Sequence, residues 1–413
     1  MSLKLKDHQK HVIDYLKKHP KQHGILIFHS LGSGKTVTGI ACAEIYSGKK
    51  VVAIVPASLK SNFKKELKKF KKLKNSYRVL SYEKFNKMYK KNNDYAKDKI
   101  LIVDEAHRVR DFKGTSSKNI FESSKKALKV YFLTGTPIIN YPNDLSVIFN
   151  IVSGKELFPM DIIKFNKLYL KYNDDNIRFI KKNKFLELIT DLVSFYSPDN
   201  KDDYPKAQFF YKKIKMNREQ NKIYNKASKN HLKVGELHSK ENLNEKKFSS
   251  IQINSFLNAT RQISNTIKGN NDFPKYLAIF ELIKSNPKPV LIYSNFKENG
   301  ILPLAELLKN NDISHRVFTG EVTEQEKKNI ITDYNNNKFN VLLITSSGSE
   351  GLDLKNTRQI HIMEPHWNMS KINQVIGRGI RYKSHENLPK KDRVVEVYYW
   401  ITTLIKKKKM CKV

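Results

Sequence analysis

The chain has 413 residues, of which 77 are Lys or Arg and 40 are Asp or Glu, and the resulting net charge of +37 favours polyanionic partners. Hydrophobic residues at 39% and aromatics at 11% are enough for a globular core, so a wholly disordered chain is excluded, and the length suits two or three domains at roughly 100 to 200 residues each. Cys42 and Cys411 lie too far apart in a cysteine-poor chain for a disulfide framework or a cysteine metal site, which fits a reducing intracellular compartment. No apolar run approaches the roughly 18 residues of a membrane span. The charged start, Met1 to Leu16, lacks the apolar stretch of a signal peptide, so export is not expected. Abundant Lys and Asn also fit an AT-rich genome, a bland source for part of the charge.

In chain order, buried-strand runs at Gly24 to Phe28, Val51 to Val55, Ile100 to Val103 and Val130 to Leu133 alternate with amphipathic stretches and predict a parallel α/β domain over 1–144. Residues 145–272 read as a helical insert and linker, with helical spacing around Leu168 to Leu192 and polar breaks near Pro198 to Pro205 and Lys229 to Lys247. Short apolar runs return at Val290 to Tyr293, Arg316 to Phe318, Val341 to Ile344, Gln359 to Met363 and Val394 to Trp400. With helical patterns such as Leu302 to Leu308 between them, they predict a second α/β domain over 273–413.

The first strand runs into His29-Ser30-Leu31-Gly32-Ser33-Gly34-Lys35-Thr36 and then a helical stretch. Strand, glycine turn and helix suit a phosphate loop: Gly32 and Gly34 let amides face phosphates, Lys35 reaches the β/γ-phosphates, and the Thr36 hydroxyl can ligand Mg²⁺. His29 stands where the strict pattern has glycine, and a plain glycine turn is the alternative. Asp104-Glu105-Ala106-His107 follows a strand at its carboxyl end, where open α/β sheets place ligands. Asp104 would hold Mg²⁺ and Glu105 would activate the attacking water, unless the acids simply favour a helix N-terminus. Gln374, Arg378 and Arg381, at helical spacing, would share one face, either to stabilise a transferred phosphoryl or as a solvated basic face.

Taken in order, these pieces resemble the superfamily 2 DEAH-box helicases and translocases. Leu5 to Gln9 is similar to their glutamine motif, His29 to Thr36 to motif I, Val55 to Leu59 to motif Ia, Asp104 to His107 to motif II, and Leu133 to Pro137 to motif III. Val290 to Phe296, Thr345 to Leu354 and Gln374 to Arg381 are similar to motifs IV, V and VI. Pro56 to Phe63, Thr134 to Asn140 and Glu364 to Asn368 resemble the Swi/Snf-type ATPases. Ser194 to Pro205, Gly300 to Leu308 and Gln374 to Pro389 resemble helicase-like ATPases of nucleocytoplasmic large DNA viruses, among them relatives of the poxvirus early transcription factor small subunit and nucleoside triphosphate phosphohydrolase I.

The resemblance implies two tandem RecA-like domains hydrolysing ATP with Mg²⁺ in the cleft between them, with Lys35, Asp104, Glu105, Gln374, Arg378 and Arg381 catalytic. It implies nucleotide contacts from Gln9, His29, Ser30, Leu31, Gly32, Ser33, Gly34, Lys35, Thr36 and Asp353, where Asp353 replaces the more usual Asn. Pro56, Ala57, Ser58, Ser294, Gly320, Thr345 and Ser346 are expected to hold one strand by its phosphates, a mode that reads no bases. His107, Thr134 and Thr136 are expected to couple nucleotide state to that track. The partner implied is DNA, duplex or single strand, with RNA the alternative and transcription or replication proteins beside it. A host-cytoplasmic or virion location follows if the chain is viral. The rival reading is a weakly catalytic or non-catalytic DNA clamp inside a transcription complex.

Overall fold

The computed structural model describes residues 4–405 apart from 31, 112, 136–141, 174–175, 198–202, 240–257, 268–272, 347–351 and 365–368. The chain divides into two compact units, Met1–Asp199 and Asn200–Val413.

In the first unit, β1 (Gly24–His29), β2 (Lys50–Val55), β3 (Ser76–Ser81), β4 (Ile100–Asp104) and β5 (Lys129–Thr134) join β8 (Val193–Tyr196) in a six-stranded sheet of order β3-β2-β4-β5-β1-β8. Every pairing is parallel. The central strands are near-continuous runs of Val, Ile, Leu and Phe because helices cover both faces. Helices α1 (Asp7–Lys18), α2 (Lys35–Ala43) and α3 (Lys60–Leu67) bury Val12, Leu16, Ile40 and Phe63 on one face. Helices α4 (Tyr82–Lys91), α5 (Thr115–Lys126) and α6 (Asp144–Ser153) bury Phe85, Ile120 and Ile148 on the other. Beyond α6 come α7 (Ile162–Tyr169), an antiparallel hairpin of β6 (Leu170–Asn173) and β7 (Asn176–Phe179), and α8 (Lys182–Ile189). An aromatic cluster that includes Phe158, Phe165, Phe179 and Phe185 ties them to the same core.

The second unit repeats the plan. Strands β10 (Val290–Ser294), β11 (His315–Phe318), β12 (Val341–Thr345), β13 (Gln359–Ile362) and β14 (Val394–Thr403) join β9 (Lys206–Lys215) in the order β11-β12-β10-β13-β14-β9, again all parallel. After the long helix α9 (Arg218–Ser239), α10 (Pro274–Ser285) and α11 (Leu302–Lys309) cover one face of the sheet. Helices α12 (Glu324–Asn335), started by a Thr323/Glu326 capping box, and α13 (Met369–Gly379) cover the other.

Two parallel six-stranded sheets with flanking helices are the tandem RecA-like architecture the motif order implied. Residues 145–272, expected as one helical insert, distribute differently: α6 to β8 belong to the first unit, and β9 forms the edge of the second sheet. β3, β8 and β9 escape the pattern of apolar runs because edge strands keep one side toward solvent and carry polar residues.

Candidate active site

The phosphate loop sits between the end of β1 and the start of α2. Gly32 and Gly34 hold φ of 75° and 86°, a left-handed backbone that glycine adopts without steric cost. Lys35 opens α2 and is buried, and its ammonium donates to the carbonyls of His29 at 2.9 Å and Ser30 at 3.2 Å. The Gln9 side chain, expected to read adenine, donates to the Gly34 carbonyl at 3.1 Å and accepts from the Lys6 amide. His8, which sequence reasoning passed over, lies 3.1 Å from the Ser33 carbonyl and stacks on Tyr196 with centroids 3.7 Å apart.

His29 explains how a residue other than glycine fits the loop. It is fully buried, and its Nε2 meets the Ser194 hydroxyl at 3.0 Å, while burial and the nearby His8 and Lys35 push its pKa down to about 3, so the ring is neutral. The Ser30 amide and hydroxyl both donate to the Tyr196 carbonyl, at 2.9 Å and 3.2 Å. β8 thus holds the loop from one side and α1 from the other. Leu31 lies outside the described residues.

Asp104 ends β4 with its side chain buried. Its Oδ2 accepts from the Thr36 hydroxyl at 3.4 Å and its Oδ1 from the Glu105 amide at 3.0 Å. Burial, then the neighbouring Glu105, raises its pKa to about 7 despite the opposing pull of Lys35. A glycine turn at a helix start, a buried ammonium and a hydroxyl paired with a carboxylate have the chemistry that phosphates and a hard divalent cation require. Glu105 has φ of 52°, a left-handed conformation unusual outside glycine, and its Oε2 lies 3.4 Å from Nδ1 of His107. The same His107 nitrogen is 3.3 Å from the hydroxyl of Thr134 at the end of β5, so two expected coupling residues touch. Thr136 lies outside the described residues. Tyr82, unnoticed in the sequence, donates its hydroxyl to the Asp104 carbonyl at 2.6 Å and so fixes the strand end that carries both acids. Pro56, Ala57 and Ser58 form the turn after β2, with Ala57 exposed and Pro56 buried.

In the second unit, Gln374 is half-buried and Arg378 buried on α13, but the helix ends at Gly379. Arg381 therefore lies past it instead of sharing its face, because Gly377 and Gly379 weaken the last turn. Its guanidinium donates to the Gly377 carbonyl at 3.1 Å and pairs with the Asp353 carboxylate at 3.0 Å. The sequence assigned Asp353 to the nucleotide and Arg381 to the phosphoryl; the fold binds them to each other.

A cavity of about 520 Å³ opens at the carboxyl ends of β10, β11 and β12. It brings together three expected strand contacts, Gly320, Thr345 and Ser346, and adds Asn295, Lys297, Thr319 and Glu321, with Lys297 and Glu321 paired at 2.7 Å. Ser294 stands apart from these three: it is fully buried, its hydroxyl donates to Glu364, and it does not line the cavity. Glu364 is itself fully buried and also accepts from the side chain of Asn265 and the amide of Asn295. Lys275 completes the group, donating to Asn265 at 2.8 Å and the Met363 carbonyl at 2.9 Å, with burial lowering its pKa to about 8. Nothing in the local pattern marks Asn265 or Lys275, and Glu364 figured only as the start of the stretch Glu364 to Asn368; the three meet only through tertiary structure. Trp367 and the basic run from Lys406 to Lys409 lie outside the described residues.

Comparison with known proteins places this geometry. The SNF2-related domain family matches residues 50–268, more than half the chain, and the helicase conserved C-terminal domain matches residues 274–383. The chain is 37% identical over 407 residues to L538 of Acanthamoeba polyphaga mimivirus, named as an ATP-dependent RNA helicase, across 97% of this chain and 89% of that protein. It is 25% identical to the termination factor NPH-I homolog of African swine fever virus, across 92% of this chain and 69% of that protein. Among solved structures, the Pyrococcus furiosus Hef helicase domain shares the fold, with a TM-score of 0.50 and 16% identity over 97% of this chain and 96% of that one. Among the described residues no helix is long and apolar enough to cross a membrane. The chain belongs to the SNF2-related family of helicase-type, ATP-dependent motors.

Proposed function

We propose that the chain hydrolyses ATP to advance along or remodel DNA, with RNA the competing track, in viral transcription or DNA metabolism. The observation that carries the chemistry is the meeting of the Thr36 hydroxyl and the buried Asp104 carboxylate beside Lys35, at the mouth of a loop bound by Gly32 and Gly34. Loop amides and Lys35 hold the β- and γ-phosphates of ATP, and Gln9, beside Gly34, holds the adenine side of the loop. Mg²⁺, held through Thr36 and Asp104, supplies charge neutralisation at the phosphates. Glu105 orients the attacking water and takes its proton, and His107 relays the state of that carboxylate to Thr134. Arg378 and Arg381 neutralise the transferred phosphoryl, with Asp353 holding Arg381 until it is needed.

Gly320, Thr345 and Ser346, lining a cavity with Lys297, suit sequence-independent phosphate contacts. Pro56, Ala57 and Ser58 contribute from the other unit. The names of the mimivirus and African swine fever virus relatives bring RNA and a transcription setting into the test. Steady-state hydrolysis is measured with no polymer, single-stranded DNA, duplex DNA and RNA, for the parent and for Glu105→Gln. Stimulation by one polymer, lost in Glu105→Gln, establishes the motor and names its track. Binding of ATP and DNA without hydrolysis under any condition leaves the clamp reading in its place.

A further inference from the structure

The second sheet ends in an edge strand with an unusual surface. β9 pairs with β14 over ten residues, and its outer edge has no strand partner among the described residues. Side chains alternate along a strand, so Phe209, Tyr211, Lys213 and Lys215 share one face. Phe209 is 52% exposed and Tyr211 66%, although both are large aromatic residues that folding normally covers. Their rings rest on Tyr399 of β14: Tyr211 stacks at 5.1 Å and 11°, Phe209 at 6.4 Å and 26°. Tyr399 belongs to the core, so the exposed rings are backed by fixed structure and lose little freedom when something lies on them. Lys213 and Lys215 continue the row and are exposed. From Tyr204 to Arg218 there are five basic residues, Lys206, Lys212, Lys213, Lys215 and Arg218, and no acid.

Exposed rings in a row followed by cations suit a ligand that presents flat apolar faces and regularly spaced negative charge. Along the strand, alternate residues are about 6.6 Å apart, so Phe209 and Tyr211 can carry separate planar groups while the lysines meet anions further on. A protein strand adding to the open edge is the other candidate occupant, and clustered lysines on an edge are the feature that opposes such pairing. We infer that this face of β9 is a second binding surface for a single strand of nucleic acid, with bases stacked on Phe209 and Tyr211 and phosphates held by Lys213 and Lys215. It lies three strands from β10, about 14 Å across the sheet, and is therefore distinct from the cavity around Thr345 and Ser346. A site there anchors the strand while contacts in the cavity are made and broken.

The test uses the full chain, fluorescein-labelled oligothymidylate and oligouridylate, and the double variants Phe209→Ala/Tyr211→Ala and Lys213→Glu/Lys215→Glu. With two stacking platforms removed, the aromatic variant is expected to bind about thirtyfold more weakly or worse, and the lysine variant to show a shallower salt dependence. Hydrolysis without polymer should stay at the parent rate, since no residue changed touches the nucleotide site. Photo-crosslinking with halogenated oligonucleotides should place adducts on β9. Preference for one oligonucleotide names the strand chemistry. Parent-like affinity in both variants, with adducts confined to the cavity residues, overturns the inference and makes β9 a protein-docking edge. Failure of the parent to bind any oligonucleotide overturns this inference and the nucleic-acid track together, whereas Thr345→Ala/Ser346→Ala tests the cavity by itself.

Discussion

Each sheet delivers a buried carboxylate near the carboxyl end of a strand, Asp104 at the end of β4 and Glu364 after β13, and the two units surround it in opposite ways. Glu364 is saturated: Ser294, Asn265 and the Asn295 amide donate to it, and Lys275 lies one residue away through Asn265. Asp104 receives one long hydroxyl bond and one amide bond, beside a second acid, and its pKa climbs to about 7. A buried charge with its partners in place is architecture, and one held short of partners is prepared for a ligand that brings positive charge. Counting donors around a carboxylate therefore separates chemistry from scaffolding better than burial does.

The largest expected effect tests the chemical half of that contrast. Lys35→Ala or Glu105→Gln should lower hydrolysis by about 10²- to 10⁴-fold with every polymer, read by steady-state phosphate release, and parent-like turnover in either would remove the assignment. The architectural half is tested by Glu364→Ala, which strands Lys275 and should cost about 3–5 kcal/mol by urea unfolding. A loss under 1 kcal/mol together with abolished ATPase stimulation would put Glu364 with the functional acids and break the comparison.

Acid sensitivity sharpens it further. His361 is buried and neutral, donated to by the Trp400 indole at 3.1 Å, and burial lowers its pKa to about 3 against an ordinary value of 6.5. The unfolded chain takes up a proton below about pH 6.5 that the folded chain refuses, so stability falls by about 1.4 kcal/mol per pH unit as pH drops from there toward 3. His361→Gln should flatten that slope in thermal melts; an unchanged slope would move the effect to other groups, His29 first.

Smaller effects follow. Thr345→Ala/Ser346→Ala should raise the polymer concentration for half-maximal stimulation about tenfold, from two contacts at about 0.5–1.5 kcal/mol each, with polymer-free hydrolysis unchanged. Tyr82→Phe should cost about 1 kcal/mol in unfolding and lower kcat more than it raises KM, since it loosens the acids without touching bound nucleotide. Equal kcat in parent and variant would make that hydroxyl purely structural.

How much of this was legible in the sequence follows from how local each signal is. The phosphate loop, Asp104 and the central strands announce themselves within a few residues, because buried parallel strands are unbroken apolar runs and phosphate loops need glycines at fixed spacing. β8 and β9 are half-polar edges, and β9, at Lys206-Ala207-Gln208-Phe209, offers no clean alternation to find. Ser294 carried the right residue type for a phosphate contact, yet the side chain points to Glu364, 70 residues later, a partner that periodicity cannot supply. Arg381 matched the helical spacing, but two glycines ended the helix first. Tyr82 had no motif around it, and His8 stood in the glutamine motif with only Gln9 given a role; what each does comes from what the fold sets beside it.

The left-handed backbone at Glu105 has an evolutionary edge. A residue with a Cβ costs about 1–3 kcal/mol in that conformation, and glycine there would recover part of it. Selection for a steadier fold alone would thus drift toward Glu105→Gly, a more heat-resistant protein without a carboxylate at that position. With Glu105 in its proposed role as base, thermal robustness and turnover pull on one codon in opposite directions, so libraries screened only for melting temperature should discard the glutamate early.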